Sequence, residues 1–215
     1  VSIRKIIINS GHFTEDSGAV VEGILEANEN KKIRDALIPL LKDFEIIQVP
    51  DNLNLRRSID YTNLYVKGLE DGLAVDIHLN RDSGIKSGTE IYYFAGSQKS
   101  KDKAEVLSRN IARTLGIPNN GAKPDTSSAV GELGWIRQVN CWSFVIEVLY
   151  MDNPLGRFGA ISKFIKNQEY GMIAQGIANG IKELCGDQQE QLTRLQNLIN
   201  QLKEQIRKLL LKINN

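Results

Sequence analysis

The strongest constraint on this chain is a set of short apolar runs that suit a strand only when both its faces are buried. Leu73 to Leu79 is one such run, nearly continuous in its apolar reading, and Phe144 to Leu149 is another. A strand with one wet face would alternate; these do not, so each belongs inside a sheet covered by helices on both sides. Ile3 to Asn9, Glu45 to Val49 and Gly88 to Ala95 supply further strands, the last rich in β-branched and aromatic residues. Between them lie helical patterns. Ala27, Ile33, Leu37, Ile38 and Leu41 share one face of a helix beginning near Leu25, with Pro39 ending or kinking it. Leu55, Ile59, Leu64, Val66 and Leu69 fit a second helix. A third, Lys101 to Leu115, stops at Gly116 and Pro118, and a fourth runs from Phe158 to Leu184. Strands alternating with helices predict an α/β fold with a central, largely parallel twisted sheet flanked by helices. Asn119 to Gly131, made of Asn, Gly, Pro, Asp and Ser, reads as a loop, and structureless loops of that length tend to be functional.

Composition changes near Gly186. From Gln188 the chain is rich in Gln, Lys and Leu, and Leu192, Leu195, Ile199, Leu202, Ile206, Leu209 and Ile213 recur in steps of three and four. That is a heptad seam, broadened by Leu198 and Leu210. The predicted organisation is one domain over residues 1–186 and a C-terminal coiled-coil-like helix over 187–215. The helix would associate with copies of itself, giving a homo-oligomer, or pack back on its own domain.

Several function classes are disfavoured. The 27 Lys and Arg nearly cancel the 26 Asp and Glu, so the chain lacks the overall basic field that draws nucleic acid. No apolar segment approaches the roughly 18 residues that span a bilayer, so membrane insertion is not expected. The run Ile6 to Ile8 is too short for a secretory leader. Cys141 and Cys185 lack metal-motif spacing and read as separate thiols.

The only two histidines stand in telling places. His12 follows a Ser10-Gly11 turn at the end of the first strand, and His78 lies near the end of a buried strand. In α/β sheets, ligands bind at the C-terminal strand ends. Either histidine could instead be a hydrogen-bonded structural residue. Glu26 opens the first helix beside the strand-end turn, and two histidines with one Glu leave a fourth position of tetrahedral zinc open for water. Glu22 and Glu29 compete for that third place, and a Glu at a helix start also complements the helix dipole. Glu147 is a carboxylate within an apolar strand, costly to bury unpaired. It needs a partner such as Arg137, or a task such as taking a proton from the attacking water and passing it to a leaving amine.

These residues stand in a familiar order. Ile7-Ile8-Asn9-Ser10-Gly11-His12, then Gly18-Ala19, Glu26 with Asn30, Asp76-Ile77-His78-Leu79-Asn80, Gly88-Thr89-Glu90-Ile91-Tyr92-Tyr93 and Ile146-Glu147-Val148 follow one another. Over roughly residues 3 to 183 the chain resembles the zinc-dependent N-acetylmuramoyl-L-alanine amidases of autolysin and phage endolysin type. The resemblance implies Zn2+ on His12, Glu26 and His78, with Glu147 as the catalytic carboxylate. It implies peptidoglycan as partner, cut between N-acetylmuramic acid and the L-alanine of the stem peptide. Gly134-Trp135-Ile136-Arg137 resembles a Leu-Arg segment of the family, which would let Arg137 contact substrate or steady the oxyanion.

Two segments depart from the family. Asn9-Ser10-Gly11-His12-Phe13 stands where Asp-Pro-Gly-His-Gly is usual, and Leu79-Asn80 where Ala-Asn is usual. Together with the missing leader, the resemblance predicts a protein made in the cytoplasm that acts on the cell wall, as an endolysin released through a pore does. The rival expectations are a zinc peptidase cutting within the stem peptide and a non-catalytic wall-binding module of the same fold.

Overall fold

The two most apolar strands occupy the middle of the sheet, where their composition requires them. A computed structural model of the protein describes residues 3–82, 84–152 and 169–213. Its strands are β1 (Lys5–Ser10), β2 (Val20–Val21), β3 (Ile24–Leu25), β4 (Glu45–Gln48), β5 (Gly72–Asn80), β6 (Thr89–Tyr93), β7 (Asn119–Pro124) and β8 (Trp142–Tyr150). Its helices are α1 (Glu26–Leu37), α2 (Leu55–Asn63), α3 (Gln98–Leu115), α4 (Gly134–Gln138) and α5 (Tyr170–Ile213). Among the described residues, six strands form one sheet in the order β4-β1-β5-β8-β6-β7, and β2 with β3 makes a small hairpin. All neighbours in the large sheet run parallel except β6 and β8, so the sheet is mixed and mostly parallel.

Alternation along the strands sorts the core into two halves. Ile6, Ile8, Leu73, Val75, Ile77, Phe144, Ile146 and Ile91 face one side, where residues of α1, α3 and α5 cover them. Ile7, Ala74 and Val145 face the other, under Ile59 of α2 and Trp135 and Ile136 of α4. That second cover is short, because α2 has nine residues and α4 five. Where it stops, the same sheet face continues toward the strand ends as Asn9, Asp76 and Tyr92, then His78, Glu90 and Glu147. The register places them in rows: Asn9 beside Asp76, Asp76 and Tyr92 beside Val145, and both His78 and Glu90 beside Glu147.

Helix ends follow local chemistry. Asn54 caps α2 by accepting from the Arg57 amide at 3.1 Å, and Ser97 caps α3 by accepting from that of Ser100 at 3.2 Å. Gly116 closes α3 in the left-handed region at φ 65°, where a side chain would be strained. Pro39 turns the end of α1 into a 3-10 turn, Ile38–Leu41.

Three elements differ from the expectations. The predicted loop at Asn119 begins as β7, a partly exposed edge strand whose Gly and Pro hid it. The second helix ends at Asn63, leaving Leu64 and Leu69 exposed and only Val66 buried. The last helix does not pause at Gly186 but runs through it. The expected start of that helix, with Ile161, Phe164 and Ile165, lies outside the described residues, as do the side chains of Leu192, Leu195, Leu209, Leu210 and Ile213. No helix among the described residues is long and apolar enough to cross a membrane.

α5 lies against α3 with almost no side chain between the backbones. A methyl on Gly176 would sit 3.1 Å from the Ile111 Cα, and one on Gly180 3.1 Å from the Leu107 Cα. Gly180→Leu should therefore force the helices apart and lower stability by about 1–3 kcal/mol, the usual cost of overpacking. Urea denaturation of the two proteins measures it, and an unchanged midpoint would disprove so close an approach.

Candidate active site

The polar rows at the strand ends form the floor of a cleft of about 430 Å³. His12, Glu26, His78, Asp76 and Glu147 line it, together with apolar residues of the segments after β4 and β7. His12 enters from the turn after β1 with φ 69°, a left-handed backbone costing about 1 kcal/mol in a residue with a side chain. Glu26 enters from the first turn of α1, which the β2–β3 hairpin delivers to the strand ends: the Glu26 amide bonds the Ala19 carbonyl at 2.9 Å. His78 stands on β5, third from its end.

The three side chains converge on one point. Glu26 Oε2 lies 3.0 Å from His12 Nε2, and Glu26 Oε1 lies 3.0 Å from His78 Nδ1. One donor atom from each of the three residues falls within 4.8 Å of the others. The far nitrogen of each ring meets a second carboxylate, His12 Nδ1 against Asp16 at 2.9 Å and His78 Nε2 against Asp76 at 3.3 Å. A neutral imidazole has one N–H, so it cannot donate to carboxylates at both nitrogens. The arrangement calls for a charged ring or for a cation between each ring and Glu26. With Asp16 and Asp76 accepting the outer N–H groups, the inner nitrogens are lone pairs aimed at one position, the usual way carboxylates orient metal-binding histidines. Two nitrogens and a carboxylate oxygen are also a donor set that suits zinc. The residues fit the ion.

Titration behaviour reflects the same crowding. Burial disfavours charged His12, but its hydrogen bonds to Glu26 and Asp16 and the negative charge of Glu26 together outweigh that and raise the pKa. Burial would raise Glu26, yet hydrogen bonds from the two histidines hold its carboxyl far below the ordinary range. Glu147 moves the other way. Burial pushes it up to about 7, opposed by the nearby His78 and reinforced by Glu26 and Glu90. Its Oε2 is shut off from solvent without a hydrogen-bond partner. A carboxylate so placed is ready to accept a proton.

Arg137 is placed apart from these four. It donates to the buried Asp125, reaches Glu132 at 3.4 Å, and stacks over Phe94 with 4.5 Å to the ring centroid. It is not among the residues lining the cleft. The rivals of Glu26 are elsewhere too. Glu22 sits in the β2–β3 turn, and Glu29 is buried against Lys32 and the Tyr170 hydroxyl. Sequence reasoning passed over Asp16 and Asp76. The signal was available: Asp76 and His78 are two apart on a strand and so share a face.

Comparisons with known proteins bear on the family and the fold. The family model described as N-acetylmuramoyl-L-alanine amidase matches residues 6–183. The catalytic domain of CwlV, an N-acetylmuramoyl-L-alanine amidase from Bacillus (Paenibacillus) polymyxa var. colistinus, is 26% identical with a TM-score of 0.70, over 85% of this chain and 98% of that one. An N-acetylmuramoyl-L-alanine amidase from Clostridium difficile 630 shares the fold at 19% identity and a TM-score of 0.69, covering 85% and 97% of the two chains. AmiC2 of Nostoc punctiforme, also an N-acetylmuramoyl-L-alanine amidase, does so at 22% and 0.69, covering 84% and 96%. No curated protein matches significantly by sequence. The mixed, mostly parallel sheet flanked by helices is a fold shared with these amidases. The chain belongs to the N-acetylmuramoyl-L-alanine amidase family, and its activity is that of a peptidoglycan amidase.

Gly11 leaves the room that His78 occupies, since a Cβ there would collide with Nε2 and Cε1 of the imidazole ring. Gly11→Ala should displace that ring and lower amidase activity by about 100-fold, as misplacement near 1 Å can. Assaying wall hydrolysis beside circular dichroism separates this from unfolding. Near-normal activity in a folded variant would show that His78 need not stand where it does.

Proposed function

We propose that the protein hydrolyses the amide between the lactyl group of N-acetylmuramic acid and L-alanine with one zinc ion held by His12, Glu26 and His78. The supporting observation is the convergence of two lone-pair nitrogens and a carboxylate on one point, with a partnerless carboxylate oxygen of Glu147 nearby. When bound, zinc supplies Lewis acidity to the scissile carbonyl and the attacking water. Asp16 and Asp76 hold the imidazoles in the required tautomers. Glu147 accepts a proton as water adds to the acyl carbon and delivers it to the departing alanine nitrogen. Arg137 acts from behind the cleft wall, fixing Asp125 and with it the segment that brings Ser128 and Val130 to the cleft.

We also propose that residues 1–186 form the catalytic unit and that α5 beyond it pairs with the same helix of another copy. Leu198, Ile199, Leu202 and Ile206 are 43–56% exposed along this stretch. Each large apolar side chain left in water forgoes roughly 1.5–3 kcal/mol.

Elemental analysis should find one zinc per chain, lost in His12→Ala and His78→Ala; full occupancy in either would refute the ligand set. Glu26→Ala should weaken zinc retention against a chelator more than Glu22→Ala does. Glu147→Gln should keep the metal and lose about 10²- to 10⁴-fold in turnover, the range of general acid–base catalysis. Mass spectrometry of digested wall should reveal free lactyl-muramic ends and new N-terminal alanine. Light scattering should find an oligomer that Leu202→Glu with Ile206→Glu reduces to a monomer, whereas a monomeric parent protein would reject the pairing.

A further inference from the structure

Arg81 stands out at the mouth of the cleft. Among the described residues lining the cleft it is the single Lys or Arg, against the carboxylates of Asp16, Glu26, Asp76 and Glu147. It is exposed, and its guanidinium has no ion-pair partner among the described residues. The adjacent acid does not neutralise it, because Asp82 pairs with Lys86 at 2.9 Å.

The backbone that presents Arg81 is held from both sides. Its amide donates to Asn80 Oδ1 at 2.8 Å, and Asn80 Nδ2 is anchored on Glu90 at 2.9 Å. The Asn80 carbonyl accepts from the Met151 amide at 2.7 Å. Just beyond, the Asp152 carboxylate accepts from the amides of Asp82, at 3.0 Å, and Gly84, at 3.2 Å. An exposed arginine on so constrained a segment loses little backbone freedom on meeting a ligand.

The cleft lining also has an apolar part, with Leu53, Leu55, Val130 and Leu133. The cleft therefore combines one cationic position with apolar side chains around the proposed zinc site. In the substrate, the muramic carboxyl is consumed in the scissile amide, so the charges close to that bond are carboxylates of the peptide. Arg81 follows His78 by three residues, at most about 10 Å along the chain. A peptide residue spans roughly 3.3 Å, so a carboxylate one or two residues past the scissile alanine comes within reach.

The geometry points to Arg81 as the residue that recognises a free carboxylate on the peptide side of the scissile amide; this inference rests on the amidase reading above. It makes the cleft selective for stem peptides whose second residue keeps its carboxylate over those in which it is amidated. Arginine suits the task, since its planar fork matches a carboxylate in two-point contact.

Two synthetic substrates test it, each with the D-glutamyl γ-carboxyl capped as its methylamide: N-acetylmuramoyl-L-alanyl-D-glutamate, whose α-carboxylate is free, and the matching α-carboxamide, which has no carboxylate. The unsubstituted protein should show a KM about ten-fold lower for the acid, in line with a charge-assisted contact open to solvent. Arg81→Gln should abolish that preference by raising KM for the acid, with kcat within about twofold, because uniform binding is what is lost. Arg81→Lys should restore part of it. Calorimetry with the corresponding γ-methylamide peptides, L-alanyl-D-glutamate and its α-carboxamide, gives a readout independent of turnover, and the acid should bind more tightly unless Arg81 is replaced. Equal treatment of acid and amide by the unsubstituted protein, or a preference that survives Arg81→Gln, overturns the assignment while leaving the amidase reading intact. Cleavage of whole wall at a different bond, with neither muramoyl substrate cut, would instead defeat the amidase reading, and calorimetry would still decide for or against Arg81.

Discussion

Glu26 is a carboxylate with only 4% of its surface exposed, and a charge so buried must be answered by donors or it will not stay charged. The donors come from separate parts of the chain. The Ala19 amide reaches Oε2 at 2.8 Å from the hairpin, and the Leu79 amide reaches Oε1 at 3.1 Å from β5. Asn30, one helical turn on, contributes its amide to both Glu26 and the Gly11 carbonyl. The two imidazoles complete the set when they are charged. One side chain thus ties the turn after β1, the hairpin, α1 and β5 to a single locus, and the cleft exists because those four meet there. Removing the charge would leave several buried groups unsatisfied together, which is costlier than the loss of one contact.

The sheet supplies the rest by a change of cover rather than a change of direction. On the face beneath α2 and α4, positions alternate as any buried strand demands, with Ile7 and Ala74 in the core. Two residues further, the same positions on neighbouring strands are Asn9 and Asp76, and two residues beyond Asp76 is His78. Short covering helices make this possible. The opposite face, under α1, α3 and α5, stays apolar to Leu79 and Leu149. Stability and chemistry are separated by sheet face and by height along the strands, so polar residues accumulate without opening the main core. The Gly176 and Gly180 contact of α5 with α3 belongs to the stabilising side.

How much of this was legible in the sequence depended on the range of the forces involved. The central strands β5 and β8 could be read because burial on both faces leaves a continuous apolar run. His12, His78 and Glu147 could be singled out because a polar residue in or at the end of an apolar strand contradicts its surroundings, whereas Glu26 competed with Glu22 and Glu29 and was favoured by the resemblance. β7 was not legible, since edge pairing needs backbone groups and scarcely any side-chain pattern. The helical reading of Leu64 to Leu69 failed for the converse reason: apolar spacing was present, but no neighbour lies there to cover Leu64 or Leu69. The roles of Asp16 and Asp76 depend on which ring nitrogen faces inward, a three-dimensional fact that spacing only hints at. Arg137, chosen by resemblance alone, has its charge engaged by Asp125.

The departure from the family's usual Asp-Pro-Gly-His-Gly segment has a physical account in these contacts. Asn9 Nδ2 donates to Asp76 Oδ1 at 2.7 Å, while the other oxygen of Asp76 faces His78. An aspartate at position 9 would set two carboxylates against each other in a buried place, where like charges are strongly disfavoured. Asparagine removes the repulsion and supplies a donor, which leaves Asp76 free to orient the histidine. The next residue changes in step. Ser10 has a hydroxyl where proline has none, and that hydroxyl joins Asp51 and the buried Arg34 of α1 at 3.2 Å each. Arg34 is in turn neutralised by Asp51 and Asp35. The rigidity that proline gives through its ring is replaced here by hydrogen bonds linking the turn to α1, the helix that carries Glu26. Asn9, Ser10 and Asp76 therefore make sense only as a set, and a substitution toward the usual family residue at position 9 alone would bring the conflict back.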